Sequence, residues 1–214
     1  IDAAALSYKA GDGFLAQAQG RSNQSAVFLD NTGRSYTLPT AGLASARGYG
    51  EPLTGKLSPP DGASFINVLL GNPEDLYLLA TDAGYGFICA FDDLISRNKA
   101  GKVVMTAPEG AKIWLPLLVT GLDTDRLAAI SSDGRLLLFP VNELPRLSKG
   151  KGNKMIDLPG AERLIALTLT PPEKSLILTS GKRDLKLKPG DLENYVGERG
   201  RRGKPLPRGY QRVE

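Results

Sequence analysis

A unit of about fifty residues, repeated roughly four times, constrains this chain of 214 residues more than any other feature. Each copy carries an apolar stretch into an Asx/Ser-Gly turn and resumes with a second apolar stretch. It then passes a Leu into a loop rich in Gly, Lys and Arg. The turn glycines are Gly33, Gly84, Gly134 and Gly181, at intervals of 51, 50 and 47. Leu43, Leu94 and Leu144 follow their glycines by 10 residues and Leu192 by 11. A second marker, Gly62-Ala63, Gly110-Ala111 and Gly160-Ala161, precedes the next turn glycine by 22, 24 and 21 residues. Gly11-Asp12-Gly13 begins 22 before Gly33. A repeat of this size belongs to a propeller or a solenoid, because one unit alone has no partner for its apolar face.

The unit reads as β-structure. Leu76–Asp82 and Tyr85–Phe91 flank Gly84 as two apolar runs around a short turn, a hairpin pattern. The same pattern pairs Ala26–Asp30 with Ser35–Leu38, Arg126–Ser132 with Arg135–Val141, and Ser175–Thr179 with Asp184–Leu187. A second hairpin per unit is expected from Phe65–Leu70 into Leu76–Ala80, Ile113–Val119 into Leu127–Ile130, and Leu164–Leu169 into Ser175–Leu178. Asp92–Ser96, Asn142–Leu144 and Asp191–Tyr195 suit single helical turns, too short to stand alone. Four-stranded units of this length suggest blades around an axis. The expected fold is all-β, a propeller-like β-pinwheel of about four to five four-stranded blades, with a closed ring and an incomplete or broken ring both open. It is read as a single domain over 1–214, with units at 1–29 (partial), 30–80, 81–130, 131–179 and 180–214 (partial).

Absent residue types exclude whole chemistries. There is no His and only one Cys, which removes His-based metal sites, zinc fingers and Ser/His/Asp or Cys/His nucleophilic catalysis. Cys89 lies in an apolar run and reads as a small core residue in a reducing compartment. No apolar run is long enough for a membrane span, no secretory signal opens the chain, and its start at Ile1 suits a piece of a longer protein. Paired carboxylates are the one enzymatic alternative. Asp92-Asp93 suit helix capping better, and Asp123 with Asp125 suit turn chemistry. Trp114 in an apolar strand reads as core or inter-blade packing, and Tyr85 as packing at a blade edge.

The net charge of +4 is ordinary, but its placement is not. The windows after the marker leucines, 43–56, 94–102, 144–154 and 192–204, hold thirteen Lys/Arg against three acids, leaving the rest of the chain at −6. The cations are Arg47 and Lys56; Arg97, Lys99 and Lys102; Arg146, Lys149, Lys151 and Lys154; Arg199, Arg201, Arg202 and Lys204. Radially arranged units would set equivalent loops on one rim, a belt suited to a polyanion that bends. The interleaved Gly150, Gly152, Gly197, Gly200 and Gly203 are expected to bring backbone N–H groups to phosphate oxygens. Only Tyr49 and Tyr195 are aromatic in these loops, which favours backbone contact with a duplex over base stacking on a single strand. All thirteen cations are candidate sequence-independent phosphate contacts, and Lys149, Lys151 and Lys154 together should contribute about three contacts to the salt slope. A propeller that docks a protein partner is the alternative, separated from a duplex binder by its weak salt dependence.

Five blocks, in order, carry a resemblance. SARGYGEPLTGKL (Ser45–Leu57), TDAGYGF (Thr81–Phe87), LISRNKAGK (Leu94–Lys102), LPRLSKGKGNK (Leu144–Lys154) and GERGRRG (Gly197–Gly203) look like the C-terminal domains of topoisomerase IV A subunits. Those domains resemble the β-pinwheel of gyrase A. The resemblance implies a non-catalytic domain that binds and bends duplex DNA for the core of an ATP-dependent type II topoisomerase. That enzyme serves decatenation and supercoil relaxation in the bacterial cytoplasm, at the nucleoid. Partners implied are the rest of the topoisomerase IV heteromer, both its A and its B chains, and a chromosome-segregation protein, with no membrane insertion. Cofactors are none in this domain, ATP and Mg²⁺ serving the holoenzyme. Gyrases carry a Gln-Arg-Arg-Gly-Gly-Lys/Arg-Gly box. The nearest stretches here, GERGRRGK (Gly197–Lys204) and SKGKGNK (Ser148–Lys154), break it, and in this family that implies no negative supercoiling.

Overall fold

The computed structural model describes residues 5–45 and 48–210. Four hairpins form where short apolar runs flank a turn glycine: β1 (Ser25–Asp30) with β2 (Arg34–Pro39), β4 (Leu76–Ala80) with β5 (Tyr85–Ala90), β8 (Arg126–Ser131) with β9 (Arg135–Pro140), and β12 (Leu176–Ser180) with β13 (Arg183–Leu187). In the first three, the glycine N–H donates to the carbonyl three residues back, at 3.2 Å for Gly33, 3.0 Å for Gly84 and 2.9 Å for Gly134. Gly33 stands at φ +88°, which glycine adopts without a Cβ penalty.

The expected second hairpins do not form. β3 (Phe65–Leu70) pairs with β1, β7 (Leu117–Val119) with β4, and β11 (Leu164–Thr170) with β8, each antiparallel and each on the hairpin before it in the chain. The reason is a clasp at the start of each of these segments. The side chain and N–H of the second turn residue bond the residue one or two positions past the Gly-Ala marker. The Asn31 side chain accepts the Ser64 N–H at 2.9 Å, and its own N–H donates to the Ser64 carbonyl at 2.9 Å. Asp82 repeats this with Lys112 at 2.8 and 3.0 Å, and Ser132 with Arg163 at 3.0 and 2.8 Å. The segment is thereby registered on the preceding turn and zips along the preceding strand. Pro116 also shortens β7, because it has no N–H for the ladder.

A fourth strand arrives later still. The two-residue strands β6 (Lys102–Val103), β10 (Asn153–Lys154) and β14 (Lys204–Pro205) add to β2, β5 and β9. The sheets are therefore β3-β1-β2-β6, β10-β5-β4-β7, β11-β8-β9-β14 and the pair β12-β13. Between each hairpin and its basic loop runs one helical turn: residues 40–42, α1 (Phe91–Leu94), residues 141–143, and α2 (Pro189–Leu192) continued over Glu193–Tyr195. The marker leucines anchor these turns. Leu94, Leu144 and Leu192 are buried, and Leu43 packs beside Tyr36 and Leu57.

Two compact units result. One comprises the residues up to Asp75 with Ala90–Thr106 and holds the first sheet. Its core joins Ala26, Phe28, Tyr36 and Leu57, with Phe65 edge-on to Tyr36 at a ring separation of 5.3 Å. The other comprises Leu76–Cys89 with the residues from Ala107 onward and holds the remaining three sheets. Leu78, Ile88, Leu127, Phe139 and Met155 form one of its cores, with Trp114 packed against it. Ile130, Leu138, Leu178 and Leu192 form another. Cys89 is buried, as its apolar run implied. No described helix is long and apolar enough to cross a membrane.

Candidate nucleic-acid interface

The basic loops owe their course to glycines at a fixed place. Gly101, Gly152 and Gly203 directly precede β6, β10 and β14, and each crosses against the neighbouring hairpin. A Cβ on Gly152 would strike the Gly86 carbonyl, and one on Gly203 would lie 2.6 Å from the Leu136 carbonyl. The expectation that the interleaved glycines offer N–H groups to phosphate is corrected at two of the five: Gly197 already donates to the Leu138 carbonyl at 3.0 Å and Gly200 to the Met155 carbonyl at 2.8 Å. Gly152 and Gly203 also allow the close approach of backbones.

In the larger unit the loops of two consecutive repeats are joined edge to edge. The Asp157 N–H donates to the Arg201 carbonyl at 3.0 Å, alongside the Gly200 bond, and the Arg199 guanidinium reaches the Lys154 carbonyl at 2.7 Å. Arg146, Lys149, Lys151 and Lys154 thus share one surface region with Arg199, Arg201, Arg202 and Lys204. The Lys151 ammonium sits 4.1 Å above the Tyr85 ring, a cation–π contact that gives the blade-edge tyrosine its role. In the smaller unit the Ser58 N–H donates to the Lys99 carbonyl at 2.8 Å, which brings the Lys56 loop to the loop of Arg97, Lys99 and Lys102. Arg47 lies outside the described residues. Tyr49 is 97% exposed, whereas Tyr195 packs against a core.

Two further arginines support the loops. Arg34 donates to the Ala100 carbonyl and Arg135 to the Gly203 carbonyl, both at 3.2 Å. Their sequence signal is the Gly-Arg dipeptide at two of the four turns, Gly33-Arg34 and Gly134-Arg135, outside the charge-rich windows.

The candidate cations fall into two groups. Lys56 pairs with Glu51 at 2.9 Å, Lys154 with Asp157 at 2.9 Å, and Arg201 with Glu198 at 2.8 Å. Arg202 bridges Asp133 at 3.1 Å and Glu162 at 2.6 Å. The Asp157 carboxylate, first by its hydrogen bond and then by its charge, holds the Lys154 ammonium above the ordinary lysine range. Among the described residues no ion pair engages Arg97, Lys99, Lys102, Arg146, Lys149, Lys151, Arg199 or Lys204. Two of the carboxylates considered for acid/base work have local tasks: Asp93 accepts the Ala90 N–H at 3.0 Å across the start of α1, and Asp125 accepts the Thr124 hydroxyl at 3.4 Å. Among the described residues, no three His, Cys, Asp or Glu side chains form a cluster suited to a metal.

Residues 75–113 and 125–171 match the profile of a family described as DNA gyrase C-terminal domain, beta-propeller. The solved C-terminal domain of ParC from E. coli superposes with a TM-score of 0.92 at 49% identity, over 100% of this chain and 89% of that one. This chain belongs to the family of C-terminal domains of topoisomerase IV A subunits. The A subunit of DNA topoisomerase 4 from Pseudomonas aeruginosa is 56% identical over 220 residues, and its counterpart from Escherichia coli K12 is 50% identical. Each alignment takes in 100% of this chain, which spans 29% of those relatives' length. A solved gyrase A C-terminal domain, 13% identical with a TM-score of 0.68 over 98% of this chain and 70% of its own, shares the fold. The all-β, propeller-like fold expected from the repeats is therefore present, with its four-stranded sheets assembled across repeats.

Proposed function

We propose that this domain binds duplex DNA without sequence preference, bends it, and presents it to the catalytic core of a topoisomerase IV for strand passage. In this reading the domain is non-catalytic and sits with the remainder of the topoisomerase IV heteromer, its A and B chains, at the cytoplasmic nucleoid. ATP and Mg²⁺ serve parts of the enzyme outside this chain. The observation that carries the reading is the edge-to-edge union of basic loops from consecutive repeats, through Asp157 to Arg201 and Gly200 to Met155. Cations that belong to separate repeats in the sequence thereby form one surface that exceeds the reach of a single phosphate. Contacts of this kind position a duplex and carry no base information. Lys149, Lys151, Arg146, Arg97, Lys99 and Lys102 lead the proposed contacts, followed by Arg199, Lys204, Lys154, Lys56, Arg201, Arg202 and Arg47.

The test is duplex binding by the full chain across a salt series, with bending of the same DNA read by fluorescence transfer between its ends. Affinity should fall by orders of magnitude between about 50 and 200 mM salt, equally for unrelated sequences. Binding indifferent to salt, or confined to one sequence, would overturn the reading. A protein-docking propeller predicts the first of those results.

A further inference from the structure

Resting on the duplex-binding reading, we infer that Asp157 and Glu198 are affinity-setting residues: each masks one cation of the joined loops until phosphate displaces its carboxylate. Their placement argues for this. Asp157 lies just past β10 and donates its N–H to the Arg201 carbonyl, so it stands at the union of the two loops. Its carboxylate takes the Lys154 ammonium at 2.9 Å, with the two side chains 45% and 43% exposed. Glu198 takes Arg201 at 2.8 Å, with both side chains about three-quarters exposed (73% and 76%). Exposed pairs of this kind contribute little to folding. The Arg202 pairs differ. Glu162 is only 17% exposed on its side chain, and Arg202 ties it to Asp133 across two segments, which makes that pair a structural tie.

The consequence is thermodynamic. A lone cation that meets a phosphate releases a counterion from the DNA and steepens the salt dependence by about 0.9 in log–log slope. A cation that leaves a carboxylate for a phosphate releases the same counterion, but the vacated carboxylate recruits a cation from solution. The net release is near zero, and the remaining carboxylate repels the duplex. Lys154 and Arg201 therefore add little to affinity while their acids are present. The domain binds more weakly and lets go more readily than its count of cations implies, as a surface that must repeatedly exchange DNA segments requires.

The test uses the full chain, a labelled linear duplex of arbitrary sequence, and four proteins: the unaltered chain, Asp157→Asn, Glu198→Gln and a control, Glu173→Gln. Glu173 lies in the turn between β11 and β12. Each of the first two substitutions should steepen the slope by about 0.9 and tighten binding several-fold at about 50 mM salt, the control doing neither. Lys154→Ala in the unaltered chain should leave the slope unchanged, and Lys151→Ala should lower it by about 0.9. Thermal melts confirm folding, and Glu198→Gln alone carries the test if Asp157→Asn melts early. Unaltered slopes in the acid variants, with salt-dependent binding by the unaltered chain, overturn the masking role alone. An equal gain in the Glu173 control reduces it to net charge and overturns it too. Absence of salt-dependent binding by the unaltered chain removes the duplex reading and the masking role together.

Discussion

Asp82 and Lys112 hold each other twice: the Asp82 carboxylate accepts the Lys112 N–H at 2.8 Å, and the Asp82 N–H donates to the Lys112 carbonyl at 3.0 Å. The pair joins the turn of one repeat to the segment that follows the Gly-Ala marker of the next, and it explains why that marker recurs. Asn31 with Ser64 and Ser132 with Arg163 are its counterparts. Because the side chain needs only to accept, Asn, Asp and Ser all serve.

Replacing Asp82 by Ala should therefore cost about 1–2 kcal/mol, since it strips the Lys112 N–H of its partner. Asp82→Asn, which keeps an acceptor, should cost less than half as much. For a chain of this size the difference appears as a few degrees in thermal denaturation. Equal losses for the two variants would show that the charge matters and the bond does not.

A comparison of turn glycines tests the strand that arrives late. The Gly33 carbonyl accepts the N–H groups of Val104 at 2.9 Å and Met105 at 3.0 Å, and a Cβ on Gly33 would collide with the Met105 carbonyl. Gly181, at φ +60°, has open space at the same point. Gly181→Ala should cost only the left-handed backbone penalty of about 1–2 kcal/mol. Gly33→Ala should cost about 1–3 kcal/mol more, because the outer strand must shift. Chemical denaturation of the two variants measures the gap.

Tyr36 makes stability sensitive to alkali. It is fully buried and donates to Asp30 at 2.7 Å; burial first, then the bond to Asp30 and the carboxylate's charge, push its phenol above its ordinary value. Below about pH 10 the phenol is neutral in both folded and unfolded chains, and the contribution is intact. Above it the unfolded chain ionises Tyr36 while the folded chain cannot, so stability falls as pH rises. Tyrosinate absorbance should show one of the seven tyrosines appearing only on unfolding, and Tyr36→Phe should remove that late step. Retention of the step in the variant would assign it to another residue.

Removing Lys149, Lys151 and Lys154 together by Ala should flatten the salt slope of duplex binding by about two contacts, near 1.8, and not three. The discount comes from Lys154, which Asp157 already neutralises. In the Asp157→Asn background the same triple change should remove the full three. Competition titrations at several salt concentrations read both values.

Hairpins such as β4-β5 were legible because all their determinants are local: two apolar runs, a turn glycine, and a Leu to anchor the next helical turn. The basic loops were legible because charge recurs in step with the repeat. The partners of β3, β7 and β11 were not legible. An apolar run marks a strand without naming its neighbour, and the preceding and following hairpins are built to the same local pattern. The Arg202 ties were equally hidden, because its acids lie 69 and 40 residues away, whereas Lys154 with Asp157 and Arg201 with Glu198 are three residues apart and needed only the loop conformation to bring them together.

The linear chain by itself determined that this protein is a β-repeat domain with positive charge at one point of each repeat, because apolar runs, turn chemistry and charge are all short-range properties. Tertiary structure alone decided that each four-stranded sheet recruits strands from later in the chain, and that the basic loops of consecutive repeats join through Asp157 and Arg201. Both depend on groups far apart in sequence meeting within hydrogen-bond distance, and only the packed backbone sets those distances.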